Sequence, residues 1–180
     1  GIPDHDQYTQ ELRLSSNFAG DINYQVGVFY FDEALTIENF SYDTFSSPAG
    51  NETGYVIQQQ DTKAWAVFGS VDYTISDDLK VTAGLRYSDD EKEFSANRTQ
   101  SPIGAGPLSS GLINVSDDHI SWDISTSYKV NDDVNWYTRI ANSFRAPSLQ
   151  GRILYGNDVT TAETETVTSY ETGIKSDVLD

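Results

Sequence analysis

Side chains able to do chemistry are few and scattered. The sequence has two histidines, His5 and His119, and neither cysteine nor methionine. Disulfides, thiolate metal sites and a cysteine nucleophile are therefore excluded. A Ser-His-Asp arrangement would have to recruit one of the two histidines, both of which fall in stretches that read as connecting links. Asp4-His5-Asp6 and Asp117-Asp118-His119 have metal-ligand residue types but read as solvated acidic segments, so neither metal nor cofactor is expected. With 28 Asp and Glu, carboxylate pairs arise by chance, and none has a context that singles it out for glycoside hydrolysis. Gly104 and Gly106 begin a phosphate-loop pattern that fails at Pro107. With no catalytic constellation the chain reads as a non-enzyme, and its function must be sought in the elements that carry these residues.

The 180 residues carry a formal charge of −17, with only 11 Lys and Arg. A phosphate-binding surface needs a basic face, so no nucleic-acid partner is expected. No run approaches the ~18–20 apolar residues of a membrane helix, and the start lacks a basic segment followed by an apolar one. Yet 11 Tyr, 8 Phe and 3 Trp are too many for a disordered acidic chain. The length fits one domain, but a chain that opens on Gly1 and holds no methionine reads as a piece of a larger protein.

Period-2 alternation dominates. Leu79, Val81, Ala83, Leu85 and Tyr87 form one stripe against Lys80, Thr82, Gly84, Arg86 and Ser88. Ile120, Trp122, Ile124, Thr126 and Tyr128 repeat it. Weaker copies run over 22–30, 65–73 and 134–140, and segments near 7–15 and 167–176 bring the count to seven strands, with no helix. Short acidic turns fall at 17–21, 76–78 and 131–133, where Asn, Asp and Gly suit tight reversals. Long polar links fall at 32–61, 89–118 and 144–165, and Ser95–Ser116, rich in Pro, Gly and Ser, reads as a mobile loop tip.

Short turns on one side and long links on the other are the rhythm of an antiparallel transmembrane β-barrel. A lipid-facing Arg or Lys near the midplane costs about 2–4 kcal/mol, so one stripe of each strand should be free of charge. The ten charged residues in the strands (Glu11, Arg13, Asp72, Lys80, Arg86, Asp123, Lys129, Arg139, Glu171 and Lys175) all fall on the stripe opposite the apolar one. Tyr24, Tyr73, Tyr128 and Trp136 lie near short turns, and Tyr8, Tyr30, Trp65, Tyr87 and Trp122 near the other strand ends. Two belts about ten residues apart are expected, as at membrane interfaces. A β-sandwich with an aromatic core explains the alternation and suits the mean hydropathy of −0.48, but not the rhythm of the links.

The runs QELRL (Gln10–Leu14), AVFGSVDYTISDDLKVTAGLRYS (Ala66–Ser88), FRAPSL (Phe144–Leu149) and ETVTSYETGIKSDVLD (Glu165–Asp180), in this order and spacing, resemble the barrel of TonB-dependent outer-membrane receptors. The residues carrying the resemblance are Glu11, Leu12, Arg13, Leu14, Gly84, Arg86, Tyr87, Pro147, Glu171, Gly173 and Lys175. The resemblance implies about seven strands of a 22-stranded barrel in a Gram-negative outer membrane, with short periplasmic turns and long extracellular loops. It implies import of a scarce nutrient, such as a ferric siderophore, cobalamin or an oligosaccharide. Implied partners are that small-molecule ligand, membrane lipid and lipopolysaccharide, a plug domain and the TonB complex. Residues 1–180 match only part of the barrel; plug, TonB box and C-terminal strands are not among them. Seven strands alone would leave two unpaired edges in lipid.

Ligand contacts in such receptors come from external loops and the plug. Phe144, Arg145, Arg152 and Tyr155 are the candidates here, the alternative being that Phe144, Pro147 and Leu149 only shape the exit from the strand. A small closed barrel acting as adhesin or structural anchor is the competing functional reading.

Overall fold

Alternating apolar and polar side chains place themselves on opposite faces of a strand, and neighbouring strands supply the hydrogen bonds each lacks. In the computed structural model, which describes residues 1–43 and 50–177, this yields nine strands. They are β1 (Asp4–Ser15), β2 (Ile22–Asp43), β3 (Asn51–Ser76), β4 (Leu79–Gln100), β5 (Leu108–Asn131), β6 (Val134–Arg145), β7 (Ser148–Gln150), β8 (Thr160–Ala162) and β9 (Glu165–Ser176). One antiparallel sheet runs β1-β2-β3-β4-β5-β6-β9, with β7 and β8 forming a separate small hairpin. No helix occurs among the described residues.

The short turns lie where the sequence puts them. Asp77-Asp78 joins β3 to β4, and Asp132-Asp133 joins β5 to β6. Asn131 Oδ1 accepts from the Asp133 amide at 3.0 Å, and Asn23 Oδ1 from the Phe18 amide at 2.7 Å, the local bonds that favour Asn in turns.

The links at 32–61 and 89–118 are mostly not links. β2 to β5 run 22, 26, 22 and 24 residues, whereas β1, β6 and β9 have 12 each. A tilted membrane-crossing strand needs about 9–11 residues, so each long strand runs on for about as many residues again. Of Ser95–Ser116 only 101–107 lies outside strands, and within that tip Ser101 is buried. Polar runs such as Gln58-Gln59-Gln60 look like loop in sequence but are held by paired neighbours, which override their weak β-propensity. The tip of the first link, residues 44–49, lies outside the described residues, as do 178–180 of the closing motif.

Register puts Leu12, Val28, Val67, Tyr87 and Ile120 in one row and Arg13, Gly27, Phe68, Arg86 and Ser121 in the next. The first row belongs to an apolar face whose side chains are exposed: Leu12 keeps 64% of its surface and Leu85 58%. The aromatic belts cross the rows obliquely. Tyr30 pairs with Trp65 one step below Tyr8, Tyr87 stands a step lower on β4, and Trp122 a further step down on β5. The second belt descends in the same sense through Tyr24 and Tyr73 to Tyr128, which pairs with Trp136. Strands tilted to a barrel axis require this, because a belt at constant height must cut the rows diagonally.

The belts are closer than ten residues: six apart on β2 (Tyr24 to Tyr30) and eight on β3 (Trp65 to Tyr73). At ~3.3 Å per residue, six to eight residues span about 20–26 Å along the strand, and a tilt of ~40° reduces this to about 15–20 Å, somewhat less than the ~25 Å apolar band of outer-membrane barrels. Between the belts the apolar face carries no charge. Beyond the upper belt the same face turns acidic, with Asp32, Asp61, Glu91 and Glu93 around Lys63.

Candidate functional site

The buried cluster of the molecule lies at the long end, on the polar face. Val56, Phe94, Ala96 and Ile153 are 4% exposed or less and are flanked by Leu108, Leu149, Leu154 and Val159. Val56 comes from β3 and Phe94 and Ala96 from β4. Ile153 comes from the link after β6, which folds back across the wall. Gly151 passes so close to Phe94 that a Cβ there would overlap the ring, and a Cβ on Gly54 would lie 2.7 Å from Pro102.

Arg98 fastens this link. It is 3% exposed, and its guanidinium donates to the carbonyls of Gly106 (3.0 Å), Ile153 (2.6 Å) and Gly156 (2.6 Å) and to Asn157 Oδ1 (2.8 Å). A buried charge is tolerable when its donors are this fully used. Lys92 donates to the Pro147 carbonyl at 2.7 Å, Ser101 to that of Leu154 at 2.9 Å, and Thr164 to Asp117. Sequence reading missed Arg98; the available signal was a lone base at a polar-face position of β4 extended past its apparent end.

Beside this dock, Asp90 faces Asp117 directly across β4 and β5. Burial, more than any neighbour, pushes the Asp90 carboxyl above its usual range; Asp89 and Asp117 add to the rise, while Lys92 and Arg86 oppose it.

Between the belts the polar face is a ladder of ion pairs and stacked rings. Arg13 pairs with Glu11, Lys80 with Asp72 at 2.9 Å, and Arg139 with Asp123 at 3.4 Å. Phe68 lies over Gly27, where no side chain could fit beneath its ring, with the guanidiniums of Arg13 and Arg86 5.8 and 5.6 Å from its centroid. Asp123 fills the space that Gly84 leaves. Tyr137 lies over Gly173, donates to Glu171 at 3.1 Å and carries Lys175 5.4 Å above its ring. Leu12, Leu14 and Tyr87 belong to the apolar face, Tyr87 packing 5.4 Å from Trp65.

The four ligand-contact candidates do not converge: no two share a bond, ion pair or ring contact among the described residues. Phe144 stacks on His119 at 4.7 Å, and Arg145 lies 3.6 Å from Glu165 at the end of β6. Arg152 and Tyr155 flank the buried Ile153 and the partly buried Leu154 and are exposed, Tyr155 at 60%. Pro147 is buried, its carbonyl held by Lys92.

Both histidines, read as lying in links, sit in strands. His5 bonds Glu33 at 3.0 Å on β2, and in strands the alternation sends successive side chains of each Asp/His run to opposite faces. No group of three or more His, Cys, Asp or Glu converges on a metal-sized site among the described residues.

An uncharged band between two oblique aromatic belts, backed by a charge-paired face, defines a wall segment of the transmembrane β-barrel class. The chain belongs to the TonB dependent receptor-like β-barrel family, whose model matches residues 2–180. It is 26% identical over 178 residues to the pesticin receptor of Yersinia enterocolitica (serotype O:8 / biotype 1B), covering 97% of this chain and 25% of that protein. Its fold is similar to the crystal structure of the ferric yersiniabactin uptake receptor FyuA from Yersinia pestis, with TM-score 0.83, 19% identity, and coverage of 98% of this chain and 27% of that one. It is also similar to the ferric-catecholate import receptor Fiu from E. coli K12 in its closed form, with TM-score 0.67, 19% identity, and 98% and 29% coverage. The chain thus spans about a quarter of the length of the relatives it matches.

Proposed function

We propose that residues 1–180 form about a third of the barrel wall of a longer outer-membrane receptor that imports a ferric siderophore. On this reading the barrel has 22 strands, the short turns face the periplasm, the extended wall of β2 to β5 faces outward, and a plug coupled to TonB fills the lumen. The uncharged band would meet lipid, and the acidic zone above it the lipopolysaccharide headgroups. Edges left open by β1 and β9 would be closed by further strands, since unpaired backbone is not tolerated in hydrocarbon.

The observation that carries the reading is the uncharged band bounded by two belts that descend obliquely in the same sense, a pattern a soluble sheet has no reason to keep. Ferric yersiniabactin uptake by FyuA and ferric-catecholate import by Fiu, the receptors of similar fold, supply the substrate class. The docked link supplies a platform: with Ile153 locked into the wall, Arg152 and Tyr155 are held outward beside the barrel mouth, where an anionic, aromatic-rich ferric complex would meet a cation and a ring.

The test is uptake of radiolabelled ferric siderophore by cells producing the full-length receptor, with and without TonB. Uptake that requires both supports the reading. Equal uptake in the absence of TonB, or none with any ferric siderophore at normal surface levels, contradicts it. Arg145→Ala and Tyr155→Ala, measured for affinity in the same cells, test the contacts; unchanged affinity for both removes them from the site.

A further inference from the structure

Six bases project from the polar face between or beside the belts, and they are not equally satisfied. Arg13, Lys80, Arg139 and Lys129 each have a carboxylate within 4 Å. Among the described residues Lys175 has none and sits over the Tyr137 ring, and Arg86 has none within that distance, although Asp90, two same-face steps along β4, feels its charge. The Arg86 guanidinium is nonetheless held: the ring of Phe29 lies 5.4 Å away and that of Phe68 5.6 Å away, and Nε donates to Ser88 Oγ at 2.9 Å. Phe68 is fixed in turn by lying over Gly27. One edge of the fork is used and the Nη edge, with four N–H donors, is offered to whatever fills the space in front of the sheet. Two other arginines lack an acidic partner among the described residues and differ from Arg86: the donors of Arg98 already reach four protein oxygens, and Arg152 stands exposed on the docked link, away from this ladder.

We propose that Arg86 is a docking point for a carboxylate carried by the part of the parent chain that fills the barrel. A planar guanidinium fixed by two rings and one hydrogen bond has lost its rotamer freedom in advance, so a bidentate carboxylate gains both bonds at little ordering cost. The chemistry selects an Asp or Glu side chain: a planar anion matches the fork, and between or beside the belts this face carries six bases to four acids, which leaves positive charge to neutralise. The occupant is assigned to the same polypeptide because these residues make up about a quarter of the receptors they match, leaving ample chain to fill the lumen. Phe29, Phe68 and Gly27 are positioning residues for Arg86.

This inference rests on the barrel reading, and the experiment separates the two. In the full-length receptor, heat-modifiable electrophoretic mobility reports the barrel and the rate of protease cleavage within the lumen-filling domain reports docking. Arg86→Gln is expected to leave heat-modifiability intact and to speed cleavage about tenfold. Arg86→Lys, which keeps charge but not the fork, and Phe68→Leu, which frees the guanidinium, are expected to fall in between. Unchanged cleavage in both Arg86 variants overturns the proposal, as does unchanged cleavage with weakened siderophore binding, which would make the transported ligand the occupant. A wild-type receptor without heat-modifiable mobility would instead overturn the barrel reading.

Discussion

The guanidinium of Arg98 reaches the carbonyl of Ile153 at 2.6 Å across 55 positions of sequence. That bond joins a strand of the wall to a link that would otherwise hang free, and the same side chain holds Gly106, Gly156 and Asn157. Removing it strands buried acceptors, each costing about 1–3 kcal/mol. In the full-length receptor, hydrogen exchange across 151–157 should accelerate in Arg98→Gln and stay fast in Arg98→Lys, because one ammonium cannot span four acceptors. Ile153→Ala should loosen the same segment, at a cost of about 2–5 kcal/mol for a fully buried isoleucine.

Gly151 is required by space, not by backbone conformation. A Cβ there would overlap the Phe94 ring, so Gly151→Ala should undock the link although alanine suits the backbone. Phe94→Leu combined with Gly151→Ala should restore part of the protection that Gly151→Ala alone removes, as read by exchange over the same residues.

Asp90 makes the extended wall sensitive to pH. Its carboxyl titrates above the ordinary range because it is buried, with Asp89 and Asp117 nearby only partly offset by Lys92 and Arg86. Between the unfolded and the raised folded value, the folded state therefore holds a proton that the unfolded chain releases. The stability penalty is full above the raised value and disappears below the unfolded value near 3.8. Asp90→Asn should raise the unfolding temperature at pH 7, with the difference from wild type shrinking toward zero as pH falls to about 4. A difference that grows on acidification would contradict this.

The alternation of Leu79–Ser88 and Ile120–Lys129 was legible because an apolar face on one side and polar, charge-bearing groups on the other enforce a strict period of two. The short turns were legible because Asp77-Asp78 and Asp132-Asp133 are local chemistry. The upper halves of β2 to β5 were not legible, since beyond the belts one face is acidic and the few apolar residues of the other, Val56, Phe94 and Ala96, are too sparse to set a period. Gln58 to Gln60 and Asn114 belong to the sheet only because neighbours pair with them. Arg98 and Ile153 were illegible as a pair because their contact depends on how the link 146–164 returns. Among the candidate contacts, Phe144 proved to be packed on His119, whereas Arg152 and Tyr155 remain outward.

The central claim is that one face of the sheet meets hydrocarbon and the other does not. The sequence holds no cysteine, so single cysteines can be placed one at a time from Leu79 to Ser88 in the full-length receptor without background from this segment. Labelled with a fluorophore and reconstituted with brominated lipid, positions 81, 83, 85 and 87 should be quenched and 80, 82, 84 and 86 spared. Uniform quenching, no quenching at any position, or alternation in the opposite phase would contradict the membrane-facing assignment.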